Sequence, residues 1–442
     1  MQSLTQNQKS RLNATKYDNE SQYHIIIMKK QLIFLAIWGM CVLLSTGAIA
    51  ESNPFSVSGY GVINYSHFDW ELDPGRRSAI DIERFVIAPK YRINDTIRLE
   101  SELEIEHGGT GSTMEFDKFE EFGEFETEIE KGGEVIVEKL AAVFSFQPSL
   151  NLRVGHIIVP VGLVAKRHRP QHYFTTTRPE AETHLIPTIW HETGVEIFGS
   201  LGSLNYQAQI VNGLDSTGFS SRHWIVRGHQ LRFETVNAEV PAFVGRLDYA
   251  FNENATVGIS GYYGDTAANR PKPDVDFNAH VGIVSFHGFY EVNAVKVRGL
   301  FLWGALENAD RLSKVNRTLS NNLNVKRTPI GSSALGWYIE AGYNILSFFR
   351  QTNNSAEHPN LKGTPSDKAL DVFARYDYYD TMASVEGIIF DNPRWERRTW
   401  TFGINYHVHP KMVFKSHYSL RRLAAKDKNK ENTFALGFGF QY

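Results

Sequence analysis

The sequence predicts an all-β protein, an antiparallel up-and-down transmembrane β-barrel of about sixteen strands. Apolar and polar side chains alternate with a period of two in segments from Phe55 to the end of the chain, as strands with one apolar face require. Short turns and long loops alternate between these segments, and their bulky face is rich in Phe, Tyr and Trp. A soluble β-sandwich would also alternate, but its core face favours Val, Ile and Leu, and its connections rarely follow this short–long order.

The composition agrees with many strands and tight turns. The 442-residue chain has 29 Phe, 19 Tyr and 35 Gly, and its 46 Lys and Arg nearly balance 49 Asp and Glu. Aromatic residues favour strands and Gly favours turns, whereas nothing indicates a nucleic-acid-binding surface. No run of 18 apolar residues follows residue 50, so the chain would enter a membrane only as a closed barrel.

The N-terminal region predicts export. Residues 28–50 read MKKQLIFLAIWGMCVLLSTGAIA, with a basic start, an apolar core too short to span a bilayer comfortably and a small-x-small cleavage site. This is the pattern of a secretory signal peptide cleaved near Ala50; a buried helix or a membrane anchor is the alternative. We interpret residues 1–27 as a mis-assigned leader before the true start at Met28, and residues 51–442 as the barrel.

The cysteine content bears on the cellular location. Cys41 is the single cysteine and lies within the signal peptide, so disulfides cannot stabilise the mature chain. An exported chain of this size without cysteine is typical of bacterial outer-membrane proteins. We therefore expect the mature protein in the bacterial outer membrane, in contact with lipid and lipopolysaccharide.

The strands are predicted from period-two alternation. Residues 399–408 illustrate the pattern, because Trp, Phe, Ile, Tyr and Val alternate there with small or polar residues. The eighth segment is the least regular, and two stretches fit it. The segments lie near residues 55–66, 79–92, 96–107, 134–146, 150–158, 191–201, 203–212, 229–236 or 241–251, 255–264, 278–290, 292–303, 334–346, 368–379, 397–409, 411–422 and 431–442.

The last ten residues, TFALGFGFQY, form an amphipathic strand at the end of the chain. We expect its bulky face against lipid and its small face towards a wide lumen. We also expect it to pair with the first strand, because closure removes both edges of the sheet. The bulky residues are Phe434, Leu436, Phe438, Phe440 and Tyr442.

The stretch 152–214 carries the most specific sequence. It contains LRVGHIIVPVGL, RPEAETHLIPTIWHETGVEIFG and YQAQIVNGL, to which GWYIEAGYNI at 336–345 and the terminal FALGFGFQY can be added. These segments resemble the phosphate-selective porin O/P family of bacterial outer-membrane channels. The resemblance covers most of residues 55–442, although only the first block is distinctive.

The resemblance implies a sixteen-stranded porin that passes small hydrophilic solutes passively and forms a homotrimer. It also implies a long loop folded into the lumen as a constriction, and recognition of Tyr442 by the barrel-assembly machinery. In the family's namesakes arginines and lysines attract anions, so we expect a preference for anions, with phosphate as one candidate. The constriction candidates in the inward loop are Lys166, Arg167, Arg169 and Arg178, together with His172.

Basic residues on predicted strands are further pore-lining candidates. The planar guanidinium group suits phosphate because it can donate two parallel hydrogen bonds. The alternative is that some of these charges face loop water or lipopolysaccharide. The candidates are Arg84, Lys90 and Arg92 on the second strand, Arg153 on the fifth, and Lys411, Lys415 and Arg421 on the penultimate strand.

Acidic residues favour a less selective pore. Opposed acidic and basic walls would create the transverse field of a weakly selective general porin, which stays the alternative function. The run 115–134, with nine acidic and two basic residues, predicts an exposed loop, and it lacks the spacing of a calcium loop. The acidic face predicted for the third strand is Glu100, Glu102, Glu104 and Glu106.

We expect no enzyme activity, cofactor or metal. His191 and Glu192 are adjacent on a predicted strand and so point to opposite faces. Neither a His-Glu-x-x-His nor a Gly-x-Ser-x-Gly motif is present, which removes the common signatures of zinc proteases and serine hydrolases. An enzyme barrel or a dedicated transporter is the second alternative, although residues 51–54 are too few for a plug domain.

Overall fold

Sixteen antiparallel strands form one closed barrel in a computed structural model of the chain. Each barrel strand pairs with its neighbours along the chain, and the first strand pairs with the last. The fold class expected from the sequence is therefore confirmed. The expected leader, 1–27, and signal peptide, 28–50, lie outside the described residues, which are 53–109, 113–117, 126–130, 134–229, 236–319, 327–348 and 368–442.

Each period-two segment of the sequence overlaps one barrel strand, and some strands, such as β1 and β15, extend beyond the predicted segment. Of the two alternatives for the eighth segment, 241–251 contains the strand. All strands, including two outside the barrel, are β1 (Phe55–Trp70), β2 (Ala79–Arg92), β3 (Ile97–Glu106), β4 (Thr113–Asp117), β5 (Glu126–Glu130), β6 (Val135–Gln147), β7 (Leu150–Ile158), β8 (His191–Leu201), β9 (Leu204–Asn212), β10 (Pro241–Asn252), β11 (Ala255–Asp265), β12 (His280–Val292), β13 (Val295–Leu306), β14 (Ser333–Asn344), β15 (Ala369–Ser384), β16 (Glu396–His409), β17 (Met412–Leu423) and β18 (Lys430–Gln441).

The long connections hold the remaining elements. Strands β4 and β5 pair only with each other, so β6 follows β3 in the barrel. The acidic segment 115–134 contains parts of this hairpin. The prediction that this segment is exposed concerns side chains that lie outside those described. The α-helices of the described ranges include α1 (Glu180–Thr183) and α2 (Ala309–Arg317), and residues 345–348 are also helical. Within those ranges no helix has the length and apolar character needed to cross a membrane.

The two faces of each strand differ in polarity. On β16, Trp400, Phe402 and Ile404 are exposed on the outer surface, whereas Thr401 and Asn405 are buried inside the barrel. An exposed apolar belt of this kind would not be stable in water, but it matches a hydrocarbon environment. The outer face of the barrel is therefore suited to lipid.

Closure joins the two ends of the barrel chain. Strands β1 and β18 pair from Tyr60 opposite Gln441 to Trp70 opposite Glu431. At the end of the seam, Tyr442 donates its backbone N–H to the Gly59 carbonyl at 3.0 Å. The expected pairing of the final strand with the first is present, and it leaves no unpaired edge at this seam.

We predict that Ile404→Arg destabilises the barrel in lipid by about 2–4 kcal/mol, because it places a charge on the lipid-facing surface near the middle of a strand. Ile388→Arg is the matched control, since Ile388 lies in the loop before β16 and is 93% exposed, compared with 48% for Ile404. Urea unfolding in phospholipid vesicles measures both changes. Equal destabilisation by the two substitutions would contradict a lipid-facing position for Ile404.

Candidate functional site

The loop between β7 and β8, residues 159–190, lies inside the barrel and is called the crossing loop here. The N–H of Gly162 donates to Ser260 Oγ on β11 at 3.0 Å. On the other side of the lumen, Arg178 donates to the Tyr60 hydroxyl on β1 at 3.1 Å. The loop therefore spans the lumen rather than following one wall.

Small inward-facing residues make room for the crossing loop. A Cβ atom at Gly342 of β14 would lie 2.3 Å from the ring of Phe174, and one at Gly439 of β18 would lie 2.6 Å from Pro170. Such distances are shorter than non-bonded contact, so only glycine fits there. The small face of the last strand points into the barrel, as expected, and the crossing loop packs against it there.

The first two constriction candidates are paired with carboxylates of the barrel wall. Lys166 Nζ lies 2.9 Å from Asp248, and its side chain retains 39% exposure. Burial and the nearby Arg246 lower the pKa of Lys166, whereas Asp248 opposes this change and favours the charged form. Arg167 forms an ion pair with Glu291. Both cations are thus held at the lumen wall with their charge largely compensated.

The other two basic candidates of the loop have weaker partners. Arg169 reaches only the side-chain oxygen of Gln441, at 3.5 Å. Arg178 is buried, and its Nε and Nη1 atoms make no hydrogen bond within the described residues. His172 lies near these side chains, and burial together with Arg167 lowers its pKa to about 3. His172 is therefore neutral at physiological pH and adds no positive charge.

The predicted acidic face lies on the inner wall and is neutralised by neighbouring strands. Arg84 and Arg153, two predicted candidates, supply part of the compensating charge, and Arg153 also pairs with Glu196. Each of the four carboxylates therefore has a cationic partner, although Arg84 is also shared with Glu83 at 3.1 Å. The pairs are Arg84 with Glu104 at 2.7 Å and Glu106 at 3.7 Å, Lys139 with Glu102 at 3.2 Å, and Glu100 with Arg98 at 2.8 Å and Arg153 at 3.9 Å.

The candidates on β17 hold the crossing loop. Lys415 Nζ donates to the carbonyl oxygens of Tyr173 at 2.7 Å and Thr175 at 2.9 Å. Arg421 forms an ion pair with Glu180 at the start of α1. These two side chains position the loop, and neither presents a free charge to the lumen.

The remaining three candidates lie at a strand end or in a turn, and the backbone carbonyl of Lys411 accepts a hydrogen bond from the Gln171 side chain of the crossing loop at 3.2 Å. Lys90 and Arg92 are exposed at the end of β2. Lys411, predicted on the penultimate strand, lies instead in the turn between β16 and β17, because β17 begins at Met412. The structure therefore does not bring these three residues together with Lys166.

A row of inward charges on β13–β15 was not among the predicted candidates. Arg298 lies 3.0 Å from Glu340, and Lys296 lies 2.6 Å from Asp371. Arg298 also lies 4.6 Å from the centre of the Phe174 ring in the crossing loop. These charged residues could have been identified from the sequence, because each occupies the polar face of an alternating segment.

A second basic group lies at the end of the barrel that carries the long loops, and we call Arg76, Arg222 and Arg397 the mouth arginines. Arg76 follows β1, Arg222 lies in the β9–β10 loop and Arg397 begins β16. Arg222 is exposed and makes no hydrogen bond or ion pair with another described residue. Unlike the wall cations, the mouth arginines form no ion pair within the described part of the chain.

A buried carboxyl group supports the first part of the crossing loop. Glu182 of α1 accepts a hydrogen bond from the Val164 N–H at 2.9 Å. The neighbouring Gly162 has φ +83°, and a Cβ there would lie 2.1 Å from Glu182 Oε1, so this close approach requires glycine. Burial raises the pKa of Glu182 to about 8. The carboxyl is therefore protonated at neutral pH while the loop is seated.

Comparisons with known proteins support the barrel fold. No family model matches the chain. A protein of Aquifex aeolicus (strain VF5), described as uncharacterized, is 29% identical over 396 residues, covering 88% of this chain and 80% of that protein. The anion-selective porin from Comamonas acidovorans has a TM-score of 0.50 at 9% identity, covering 88% of this chain and 99% of its own. The outer membrane channel DcaP of Acinetobacter baumannii has a TM-score of 0.51 at 8% identity, covering 90% and 100%.

We predict that the seating of the crossing loop weakens as the pH rises from about 5 to about 9. Glu182 has a pKa of about 8 in the seated loop, against an ordinary value of 4.5, so the seated state holds its proton more tightly and loses this advantage as the pH rises. Single-channel recordings should show fewer closed intervals at high pH, and Glu182→Gln should abolish this dependence.

The matched control is Glu180→Gln, two residues away in the same helix. Arg421 keeps the pKa of Glu180 below its ordinary value despite burial, so Glu180 is ionised throughout this pH range. The Glu180→Gln channel should therefore retain the pH dependence of the unmodified protein. If the Glu182→Gln channel retained the pH dependence, a group other than Glu182 would be responsible for it.

Proposed function

We propose that the protein is a bacterial outer-membrane porin through which small hydrophilic solutes diffuse passively. The observation that supports this most strongly is the arrangement of the barrel itself. Its outer face is apolar, whereas its inner face is charged and crossed by a loop that narrows the lumen. Neither a cofactor nor a covalent step forms part of this proposal.

The passage runs beside Lys166. Glu196 of β8 acts electrostatically on Lys166 and forms an ion pair with Arg153 of β7. The side chains of Lys166 and Arg153 retain 39% and 17% of their exposure. A solute at this level meets charges of both signs, which orient it without a large net field.

The preference for anions arises at the mouth in this proposal. The mouth arginines lack carboxylate partners in the described chain, so they raise the local concentration of anions before the constriction. Phosphate is one candidate solute, because guanidinium groups bind it well. A general, weakly selective porin is the alternative, and the charge-matched wall favours it.

The remaining parts of the proposal concern assembly. We propose export through the signal peptide at 28–50, recognition of Tyr442 by the barrel-assembly machinery, and a homotrimer. The outer surface supports a subunit contact at β6–β9, where Ala142, Thr193 and Ala208 are small outward residues. The outer surface of β15–β18 is instead rich in aromatic side chains suited to lipid.

We predict that the purified protein in a planar bilayer under a KCl gradient gives a reversal potential that favours chloride. Added phosphate should reduce this potential if phosphate is a solute. Changing Lys166, Arg167 and Arg169 together to Gln should shift the potential towards cation selectivity. The physical reason is that the passage loses three positive charges, while Asp248 and Glu291 each lose one cationic partner and retain Arg246 and Arg298, respectively.

Lys411→Gln serves as the control, since its side chain is exposed in the β16–β17 turn and the crossing loop contacts its backbone carbonyl rather than its ammonium group; it should leave the potential unchanged. An unchanged potential in the triple variant would place the three residues outside the passage. A cation-favouring potential in the unmodified protein would keep the porin and contradict the anion preference. Absence of any conductance would contradict the channel itself.

A further inference from the structure

Aromatic rings stack beside the mouth arginines. The rings of His223 and His184 lie 5.4 Å apart at an interplanar angle of 25°, and those of His184 and Tyr379 lie 4.9 Å apart at 26°. The three residues come from the β9–β10 loop, the end of α1 and β15. The fold thus assembles a column of flat rings from distant parts of the sequence, which we call the ring column.

Two of the mouth arginines, Arg222 and Arg397, lie beside this column. Arg397 donates to the Tyr379 hydroxyl at 3.2 Å and lies 5.4 Å from the Trp395 ring. Arg222 adjoins His223 in the sequence and acts electrostatically on both histidines. The acid of α1 that faces this region, Glu180, is already bound by Arg421. Positive charge and aromatic surface therefore coincide without a carboxylate to neutralise the arginines.

The two histidines of the ring column are neutral at physiological pH. Burial lowers the pKa of His184 well below its ordinary value, and Arg397, Arg421 and Arg222 lower it further. Burial and His184 have the same effect on His223. Because Tyr379 is only 1% exposed and His184 lies between Tyr379 and His223, the column offers the uncharged ring of His223 at its end, while the positive charge resides on the guanidinium groups.

We propose that this group of residues is a binding site for aromatic carboxylates entering the channel. The carboxylate pairs with Arg222 and Arg397, and the aromatic ring of the solute packs against the ring column. This assignment rests on the proposed channel function and names a solute class for it. The arginines supply charge-assisted hydrogen bonds, and the rings supply stacking that an inorganic anion cannot use.

The arrangement favours an aryl carboxylate over phosphate for a physical reason. A site for phosphate alone needs convergent donors, and flat neutral rings contribute nothing to it. Here the mouth arginines themselves lie against rings, since Arg76 is 4.4 Å from the ring centres of both Phe68 and Trp70. A planar solute can continue these stacks while its carboxylate reaches the charge.

The test compares two carboxylates of equal charge and similar size. Benzoate and cyclohexanecarboxylate are added in turn to each side of a planar bilayer containing the full-length protein, and interruption of the single-channel current is recorded. We expect benzoate to interrupt the current at a concentration about tenfold lower, as one aromatic stacking interaction provides. The effect should be strongest from the side of the long loops.

Variants separate the two parts of the site. Arg222→Gln should weaken block by both acids, whereas His223→Leu should remove the advantage of benzoate and leave the chloride reversal potential unchanged. His184→Leu is a second variant for the rings, used if His223→Leu does not assemble. Lys411→Gln, with its charge in a turn at the other end, should behave like the unmodified channel.

Other outcomes would overturn the assignment. Equal block by benzoate and cyclohexanecarboxylate would show that the ring column does not contact the solute. Stronger block by inorganic phosphate than by benzoate would make the mouth a simple oxyanion site. Either result can be obtained only with a conducting channel. Failure of the proposed channel function would instead give no current, so the two failures can be told apart.

Discussion

The pairing of β1 with β18 is the constraint on which the other features depend. In hydrocarbon an unpaired backbone N–H or carbonyl has no water to bind, so a sheet with two open edges is not stable there. The register from Tyr60–Gln441 to Trp70–Glu431 removes both edges. Closure also creates an interior separated from lipid, and only there can the charged side chains of alternate positions be hydrated or paired.

The interior is then divided by the crossing loop. Glycines at Gly342 and Gly439 accept its side chains, while Lys415 and Arg421 hold its backbone and its short helix. Replacing one partner of such a pair leaves a charge without compensation in a confined space, which costs more than the pair contributes. The loop is therefore held by matched groups from several strands, and its position determines which part of the lumen remains open.

The strands were predictable from sequence because their signal is local. Period two requires only neighbouring residues, and even the ambiguous eighth segment had the correct alternative, 241–251. The site was less predictable because its partners are distant. Arg421 and Glu180 are 241 positions apart, and Arg178 and Tyr60 are 118 apart. Sequence patterns placed Lys415 and Arg421 on an inward face, but they could not show that loop carbonyl groups would bind Lys415 and that Glu180 would pair with Arg421.

Paired and unpaired charges lie in different parts of the barrel. Along the inner wall each acid of the Glu100–Glu106 face has a cationic partner, so this region opposes anions and cations to a similar extent. In the proposed porin, selection depends on cations without a carboxylate partner, among which the mouth arginines are the ones at the entrance. His184 and Glu180 belong to the same turn of the crossing loop, the former in the ring column and the latter bound to Arg421. A solute that binds at the mouth therefore contacts the segment whose position sets the width of the passage.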